Sequence, residues 1–367
     1  MGSGASSFTF LPYSAANIEP RNFGESVVCI SRKMTNLINL NKGSIYSPLS
    51  IAYALSLVKL GATGNTNTEL GNILGFDATI ENLHNAHITF NNNIMSLTNY
   101  IVINDNYTLH KSYIDTTKDI CLLSTEDFTD AITIANKINK YITEKTHNCI
   151  KNIIEASHIN TDTQMLLINI VYFKTMWKSP FKKYNTVDKP FNDIHTVKMM
   201  NKTYEVAYYE DLFVQIIKLP YKTPNVNMVF VLPKSRSDIN IDRCTNYIGC
   251  DEFTEQKCCI SIPKFTQRSN MNLVSSLKQL GVNSLFSEDC ELDDMGKDLV
   301  VSNIFHEAYI KVNEDGTEAA AVTGVTFENK CACIDLTKPI IFNADHTFFY
   351  YIEYRSVPIF IGVYEGQ

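Results

Sequence analysis

The chain has 367 residues, of which 45% are hydrophobic and 19% are charged, and its formal net charge is -7. This content can fill one large core, and the acidic balance argues against nucleic acid or an anionic membrane surface as the main partner. No apolar stretch reaches the roughly 18 to 20 residues that span a bilayer, so no transmembrane segment is predicted.

Residues 1–22 are predicted to form a flexible N-terminal extension, followed by a single domain over 23–367. The extension has no Lys or Arg before Arg21 and no long apolar run, so it does not read as a signal peptide. Gly2 followed by Ser6 matches the myristoylation pattern, although a plain tail explains the same residues. The sequence leaves the use of Gly2 open.

Helical apolar spacing begins the chain, and strand patterns dominate its second half. Helices are predicted over 23–40, from Ser47-Pro48 onward until Gly61 and Gly64, over 83–97 and over 128–145. This order of helices followed by many strands predicts an α+β protein rather than a regular βαβ array. The predicted strands are 164–173, 213–219, 228–232, 258–262, 308–312, 348–354 and 359–364.

Ten cysteines are scattered along the chain without a C-x-x-C pair, so neither a disulfide scaffold nor a zinc ribbon is predicted. Unpaired thiols favour a reducing compartment, whereas Asn106 and Asn201 begin glycosylation sequons that belong to secreted or cell-surface proteins. The sequence therefore leaves a cytoplasmic and an extracellular location open. His84 and His87 alone cannot ligate a metal ion, and no metal or cofactor is expected.

Enzyme motifs are missing from the sequence. Gly61-Ala-Thr-Gly64 lacks the Lys-Ser/Thr of a phosphate loop, and His306-Glu307 does not continue into a zinc-protease motif. No G-x-S-x-G nucleophile elbow occurs, and a distant Cys/His pair stays open only because sequence cannot test it. None of these signals rises above background.

Residues 314–330 differ from the rest of the chain. After a predicted strand and a turn, every second residue from Thr317 to Thr323 is small and uncharged, and the segment has no proline. Such a segment could enter a sheet as a strand with one buried face, although a plain surface loop is the alternative. The positions of this alternating series are Thr317, Ala319, Ala321, Thr323, Val325 and Phe327.

The chain resembles the serpins, a family of serine protease inhibitors, over nearly its whole length. Asn313-Glu314-x-Gly316-Thr317-Glu318-Ala319-Ala320-Ala321 is similar to the serpin hinge. Ordered matches run on both sides of it: Ser47-Pro48-Leu49-Ser50, Leu60-Gly61-Ala62, Ile138-Asn139 to Ile150, Leu167 to Trp177, Leu219-Pro220-Tyr221, Pro263-Lys264-Phe265, His306, Phe342 to Phe348 and Phe360-x-Gly362.

The resemblance implies a single-domain serpin fold, with about nine helices around three β-sheets and an exposed reactive-centre loop at about 314–340. It implies no catalytic residue, because the attacked loop inserts into the main sheet and traps the protease. It assigns the hinge to Glu314, Gly316, Thr317, Glu318, Ala319, Ala320 and Ala321. It assigns the breach and shutter, where that sheet opens, to Ser47, Ser50, Asn169, Trp177 and His306.

Serpin spacing places the scissile residue seventeenth when Glu314 is counted first, which gives Lys330 followed by Cys331. A lysine there suits a protease pocket that ends in an Asp carboxylate, so trypsin-like serine proteases are the expected partners of a monomeric inhibitor. A bond shifted to Cys331-Ala332 or Cys333-Ile334 would favour chymotrypsin-like or cysteine proteases. The competing class is a non-inhibitory serpin that acts as a carrier, chaperone or storage protein.

Overall fold

The computed structural model describes residues 22–38, 43–76, 79–92, 94–236, 239–317 and 338–366. These residues form an α+β arrangement in which helices cover both faces of a large mixed sheet. The α+β class is therefore confirmed. The eight α-helices of the described ranges are α1 Phe23–Thr35, α2 Pro48–Lys59, α3 Gly64–Leu74, α4 Ile80–Phe90, α5 Lys111–Thr117, α6 Ala131–Lys145, α7 Ile241–Thr245 and α8 Val274–Gln279.

Two helices position the site. Helix α2 begins at Pro48 because the Ser47 side chain accepts a hydrogen bond from the Ser50 amide, and all of its residues are buried. Helix α6 begins after Asp130, which caps the Thr133 amide, and turns an isoleucine stripe towards the sheet. The predicted helix at 128–145 therefore starts three residues later than expected.

Two further expectations about helices are corrected by the structure. Gly64 does not end a helix but begins α3, with a positive φ of 47°. The predicted helix 83–97 divides into α4 and a strand that starts at Met95, because the apolar residues of that strand pair with the main sheet. Short apolar runs do not distinguish a buried helix from a buried strand.

The main sheet contains seven strands and carries the features of functional interest. Its two central strands, β4 and β12, run parallel and are hydrogen-bonded directly to each other, with Asn169 opposite His306. We call this β4–β12 junction the seam. The strands of this sheet are β2 Met95–Asn104, β3 Leu122–Glu126, β4 Met165–Phe173, β5 Thr175–Met176, β11 Phe265–Asn272, β12 Val301–Val312 and β13 Gly316–Thr317.

The remaining strands form one continuous sheet, although the resemblance implies three sheets in all. Strand β7 is 16 residues long and pairs with β10 along one part and with β8 along the other, which joins the two smaller sheets. Its strands are β1 Ile45–Tyr46, β6 Val187–Phe191, β7 His195–Glu210, β8 Val214–Pro220, β9 Val226–Pro233, β10 Thr254–Pro263, β14 Ile340–Asn343, β15 Phe348–Tyr354 and β16 Val357–Tyr364.

The hydrophobic core has two parts, one on each face of the main sheet. The larger part lies among α1, α2, the back of the main sheet and the second sheet. The smaller part lies between α6 and the front of the main sheet, where Ile138 and Ile142 pack with Ile168 and Phe305. Helix α6 thus crosses strands on both sides of the seam.

Candidate functional site

A buried polar cluster lies where α2 packs against the seam. The Asn169 Oδ1 atom accepts a hydrogen bond from Ser50 Oγ at 2.7 Å and lies 2.7 Å from His306 Nδ1. The Asn169 amide nitrogen donates to Asn99 Oδ1 at 2.8 Å and to the Ser50 carbonyl at 3.0 Å. The Ser47 amide donates to His306 Nε2 at 3.0 Å. One asparagine therefore ties α2 to three adjacent strands.

The contacts of His306 define its protonation state. Its Nε2 atom accepts from the Ser47 backbone, so Nδ1 carries the proton and donates to Asn169. Complete burial lowers the pKa of His306 to about 3. The imidazole is therefore neutral at physiological pH and joins β4 to β12 by a hydrogen bond that any opening of the seam must break.

A two-residue strand, Gly316–Thr317, enters the top of the main sheet between β12 and β5. Gly316 has a φ of 154°, and a Cβ atom there would lie 2.3 Å from the Thr175 carbonyl oxygen. Only glycine fits so close to the neighbouring backbone. Thr317 is fully buried, and its hydroxyl lies 2.6 Å from that of Tyr221.

Trp177 supports this short strand from the side. Its ring stacks on Tyr221, with centroids 4.4 Å apart and an interplanar angle of 5°. Its indole N–H donates to the Asn313 carbonyl at 2.9 Å, and its amide donates to the Asp315 carbonyl at 3.0 Å. The turn between β12 and β13 is therefore anchored on both of its flanks.

Glu314 fixes the start of the turn by charge. Its carboxylate accepts from Lys264 Nζ at 2.8 Å and from Thr186 Oγ1 at 2.9 Å, and only 5% of the residue is exposed. Burial alone would raise the pKa of Glu314, but the bonds from Lys264 and Thr186 hold it below its ordinary value. Glu314 is therefore an ionised anchor.

The arrangement is suited to a structural change. A short strand of small residues lies in the sheet directly above the seam. The two strands of the seam pair through their backbones and are also joined by one neutral polar cluster. Among the described residues, no three His, Cys, Asp or Glu side chains are grouped to hold a metal ion. No helix in the described part of the chain has the length and apolar content to cross a membrane.

Comparison with known proteins identifies this arrangement. The family profile described as "Serpin (serine protease inhibitor)" matches residues 31–365. The chain is a serpin. An uncharacterized serpin-like protein of Acanthamoeba polyphaga mimivirus is 32% identical, over 88% of this chain and 84% of its own length. Human leukocyte elastase inhibitor is 30% identical, over 86% of this chain and 90% of its own length.

Solved serpins share the fold. Serpin48 of the insect Tenebrio molitor, whose title calls it highly specific, has 25% sequence identity and a TM-score of 0.84, over 95% of this chain and 99% of that one. Uncleaved ovalbumin aligns with a TM-score of 0.82 over 93% of this serpin and 99% of its own chain, at 23% identity. The predicted single-domain serpin fold is thus confirmed.

The structure separates the residues that were assigned together to the breach and shutter of this serpin. Ser47, Ser50, Asn169 and His306 meet in the polar cluster. Trp177 lies instead beside the strand Gly316–Thr317. Of the other site residues, Glu314, Gly316 and Thr317 lie at the top of the sheet, whereas Glu318, Ala319, Ala320, Ala321, Lys330 and Cys331 lie outside the described residues.

Three contributors to the site were not predicted as site residues. Asn99 extends the cluster to β2, Tyr221 bonds with Thr317, and Lys264 neutralises Glu314. Tyr221 and Lys264 stood within sequence matches to the family, but nothing marked their side chains as functional. Asn99 gave no distinct signal, because Ser96, Thr98 and Asn104 are also polar residues of β2; only its burial shows that its side chain requires a partner.

Proposed function

We propose that this serpin inhibits serine proteases by inserting its cleaved reactive loop into the seam between β4 and β12. The family is described as one of serine protease inhibitors, and the register of the short strand supports the same mechanism here. Val312 of β12 and Thr175 of β5 are both partners of Thr317. Continuing that pairing six residues down the seam brings Thr323 opposite His306 on one side and Asn169 on the other.

His306 and Asn169 are themselves partners across the closed seam. An inserted strand would therefore keep one register with both of its neighbours, since 312 − 6 is 306 and 175 − 6 is 169. This agreement is the single observation that carries the proposal. Insertion breaks the hydrogen bond between Asn169 and His306. The Thr323 hydroxyl can bond with both side chains, which limits the cost of leaving them unpaired.

The composition of the loop supports insertion. In this register, one set of alternating side chains lies on the sheet face that β4 and β12 bury against α2 and the core. The set consists of Thr317, Ala319, Ala321 and Thr323. These side chains are small and uncharged, so their burial carries no charge penalty. Bulky, charged or proline residues at these positions would favour a carrier, chaperone or storage serpin. The four positions carry none, so the inhibitory function is preferred.

The covalent step belongs to the protease. Its serine oxygen attacks the carbonyl carbon of Lys330, forms an ester, and releases the amino group of Cys331 as the peptide bond breaks. Insertion then carries the ester-linked protease away before water hydrolyses the bond. The serpin supplies no catalytic group and so is not an enzyme, and one monomer suffices for the trap.

The proposed targets are trypsin-like serine proteases, because Lys330 is the seventeenth residue counted from Glu314 and a lysine fits a pocket that ends in Asp. Relatives named leukocyte elastase inhibitor point to elastase-like targets instead. Such enzymes would cut after a smaller residue, and Cys331 or Cys333 would then be the scissile position.

Incubation with trypsin, and separately with leukocyte elastase, distinguishes these targets. A complex stable on a denaturing gel, with release of a peptide that begins at Cys331, is expected with trypsin. Lys330→Ala should abolish that complex, whereas the matched variant Lys338→Ala should not, because Pro339 follows Lys338 and blocks cleavage there. A complex with elastase alone would move the scissile bond, and cleavage without a complex would favour the non-inhibitory class.

A further inference from the structure

Helix α6 and the segment that follows it, residues 146–164, form a bridge over the seam. On the β3 side, Lys137 of α6 pairs with Glu126 at 2.5 Å, and Tyr141 packs edge-on against Tyr100 of β2 at 5.2 Å. The bridge is thereby fixed to the strands on the β4 side of the seam.

The segment that follows α6 is hydrogen-bonded to it. Asn139 of α6 accepts from the amides of Ile153 and Ile154 at 2.9 and 3.1 Å, and donates to the Ile154 carbonyl at 2.8 Å. Thr146 Oγ1, at the end of the helix, accepts from the Ile150 amide at 3.1 Å. Residues 150–154 are therefore attached to the helix and its end by these four hydrogen bonds.

The same segment is also held from the opposite side of the seam. Asn270 of β11 donates to the Ile153 carbonyl at 2.8 Å, and Arg268 of β11 donates through Nη2 to the Lys151 carbonyl. Strand β11 is paired with β12 along its whole length. We call these two bonds, Arg268 to Lys151 and Asn270 to Ile153, the clasp.

Glu307 of β12 orients the stronger half of the clasp. Its side chain is fully buried, one carboxylate oxygen accepts from Arg268 Nε, and the other has no partner among the described residues. Burial raises the pKa of Glu307, and the Arg268 charge opposes this shift. Arg268 therefore cannot leave Glu307 cheaply, and its Nη2 stays aimed at the Lys151 carbonyl.

An inserted strand must separate β4 from β12 by about 4.8 Å, the spacing of neighbouring strands. The bridge cannot keep its contacts on both sides through such a movement. On the β12 side the bridge is held by the clasp, by Phe305, which packs against the α6 isoleucines and against His158, and by bonds of Gln164 with Val300 and Ser302. The clasp is the part of this hold that reaches β11, beyond both strands of the seam. We propose that the clasp must open before a strand can enter the seam, so that Arg268 and Asn270 slow insertion.

This inference rests on the proposed insertion mechanism, so its test measures insertion without a protease. The probe is a synthetic peptide of residues 317–328, mixed with the intact serpin, and uptake is followed as a shift on a native gel and in the thermal unfolding midpoint. Asn270→Ala should speed uptake roughly fivefold, the effect of one net hydrogen bond. The matched control, Asn272→Ala, removes a bond of 2.7 Å to Asn303 and a bond of 3.2 Å from the Val274 amide. Neither bond reaches the bridge, so this variant should leave the rate unchanged.

Arg268→Lys provides a second variant that keeps a positive charge beside Glu307 but lacks the second donor nitrogen. It should also speed uptake by roughly fivefold. Neither variant should consume more serpin per protease inhibited than the wild type does, because faster insertion competes better with hydrolysis of the ester. Wild-type rates in Asn270→Ala and Arg268→Lys would overturn the clasp while leaving the proposed inhibition intact. Equal acceleration in Asn272→Ala would also overturn it, by showing a general loosening of β11. Failure of the wild type to take up the peptide would overturn the insertion mechanism and the clasp together.

Discussion

The substitution Thr317→Arg is expected to destabilise the inserted form of the serpin much more than the native form. Among the described residues, the native strand β13 consists of Gly316 and Thr317, so fewer contacts must be given up to place a larger side chain in solvent than in the inserted form. In the inserted form Thr317 is the first residue of a long central strand and cannot withdraw without removing the rest. An arginine at this buried position then has no carboxylate to pair with.

The magnitude follows from the burial of the site. Thr317 is fully buried, and its hydroxyl contacts Tyr221, itself stacked against Trp177 in an apolar setting. An unpaired charge in such a place costs about 3 kcal/mol or more. If the transition state of insertion includes this free-energy cost, the rate of insertion falls by roughly a hundredfold. Hydrolysis of the ester to the protease would then precede insertion.

The assay is the number of serpin molecules consumed per protease molecule inhibited, read with a denaturing gel of covalent complex against cleaved product. Thr317→Arg is expected to shift almost all of the serpin into cleaved product. Thr317→Val, of similar shape but without charge or hydroxyl, should stay within a few-fold of the wild type. If Thr317→Arg trapped its protease with the wild-type stoichiometry, insertion from this hinge would be refuted.

Three further predictions concern the stability of the native fold. Gly316→Ala should lower the free energy of unfolding in urea by about 1–3 kcal/mol, because its methyl group would meet the Thr175 carbonyl and the φ of 154° is strained for alanine. Since the folded pKa of His306, about 3, lies below its unfolded value of 6.5, native stability should fall as pH drops below 6.5, and His306→Gln should flatten this slope between pH 6.5 and 5. Lys264→Met should lower the free energy of unfolding by about 1–2 kcal/mol at pH 7, a value kept small because the Lys264 side chain is 36% exposed. This loss should shrink as acid protonates Glu314. A loss that did not depend on pH would contradict the ion pair.

Two long strands of this serpin were predicted closely, whereas β2, β7 and β11 were not predicted and only the last five residues of β12 were. The expected strand 348–354 matches β15 in full, and 164–173 matches β4 to within one residue, since both are long apolar runs bounded by polar residues. The division of 83–97 into α4 and β2 was missed, because tertiary pairing with β4 decides that boundary rather than local periodicity. The joining of two sheets through β7 also depends on long-range pairing that no local pattern encodes.

The site was predictable where residue type is dictated by geometry. Gly316 indicates a close approach to neighbouring backbone, and the small residues after it indicate a face that can be buried. Both features can be read from the sequence. The partners of these residues were less visible, because Lys264 lies 50 positions from Glu314 and Tyr221 lies 96 positions from Thr317. Arg268 and Glu307, 39 positions apart, gave no signal at all until the pairing of β11 with β12 brought them together.

The structure of the loop-cleaved serpin tests the insertion mechanism most directly. The register predicts a new strand between β4 and β12, with Thr317 still beside Thr175 and with Thr323 between Asn169 and His306. The bond between Asn169 and His306 should be broken in that structure. A cleaved form in which β4 remains paired with β12, and Asn169 remains opposite His306, would contradict the mechanism.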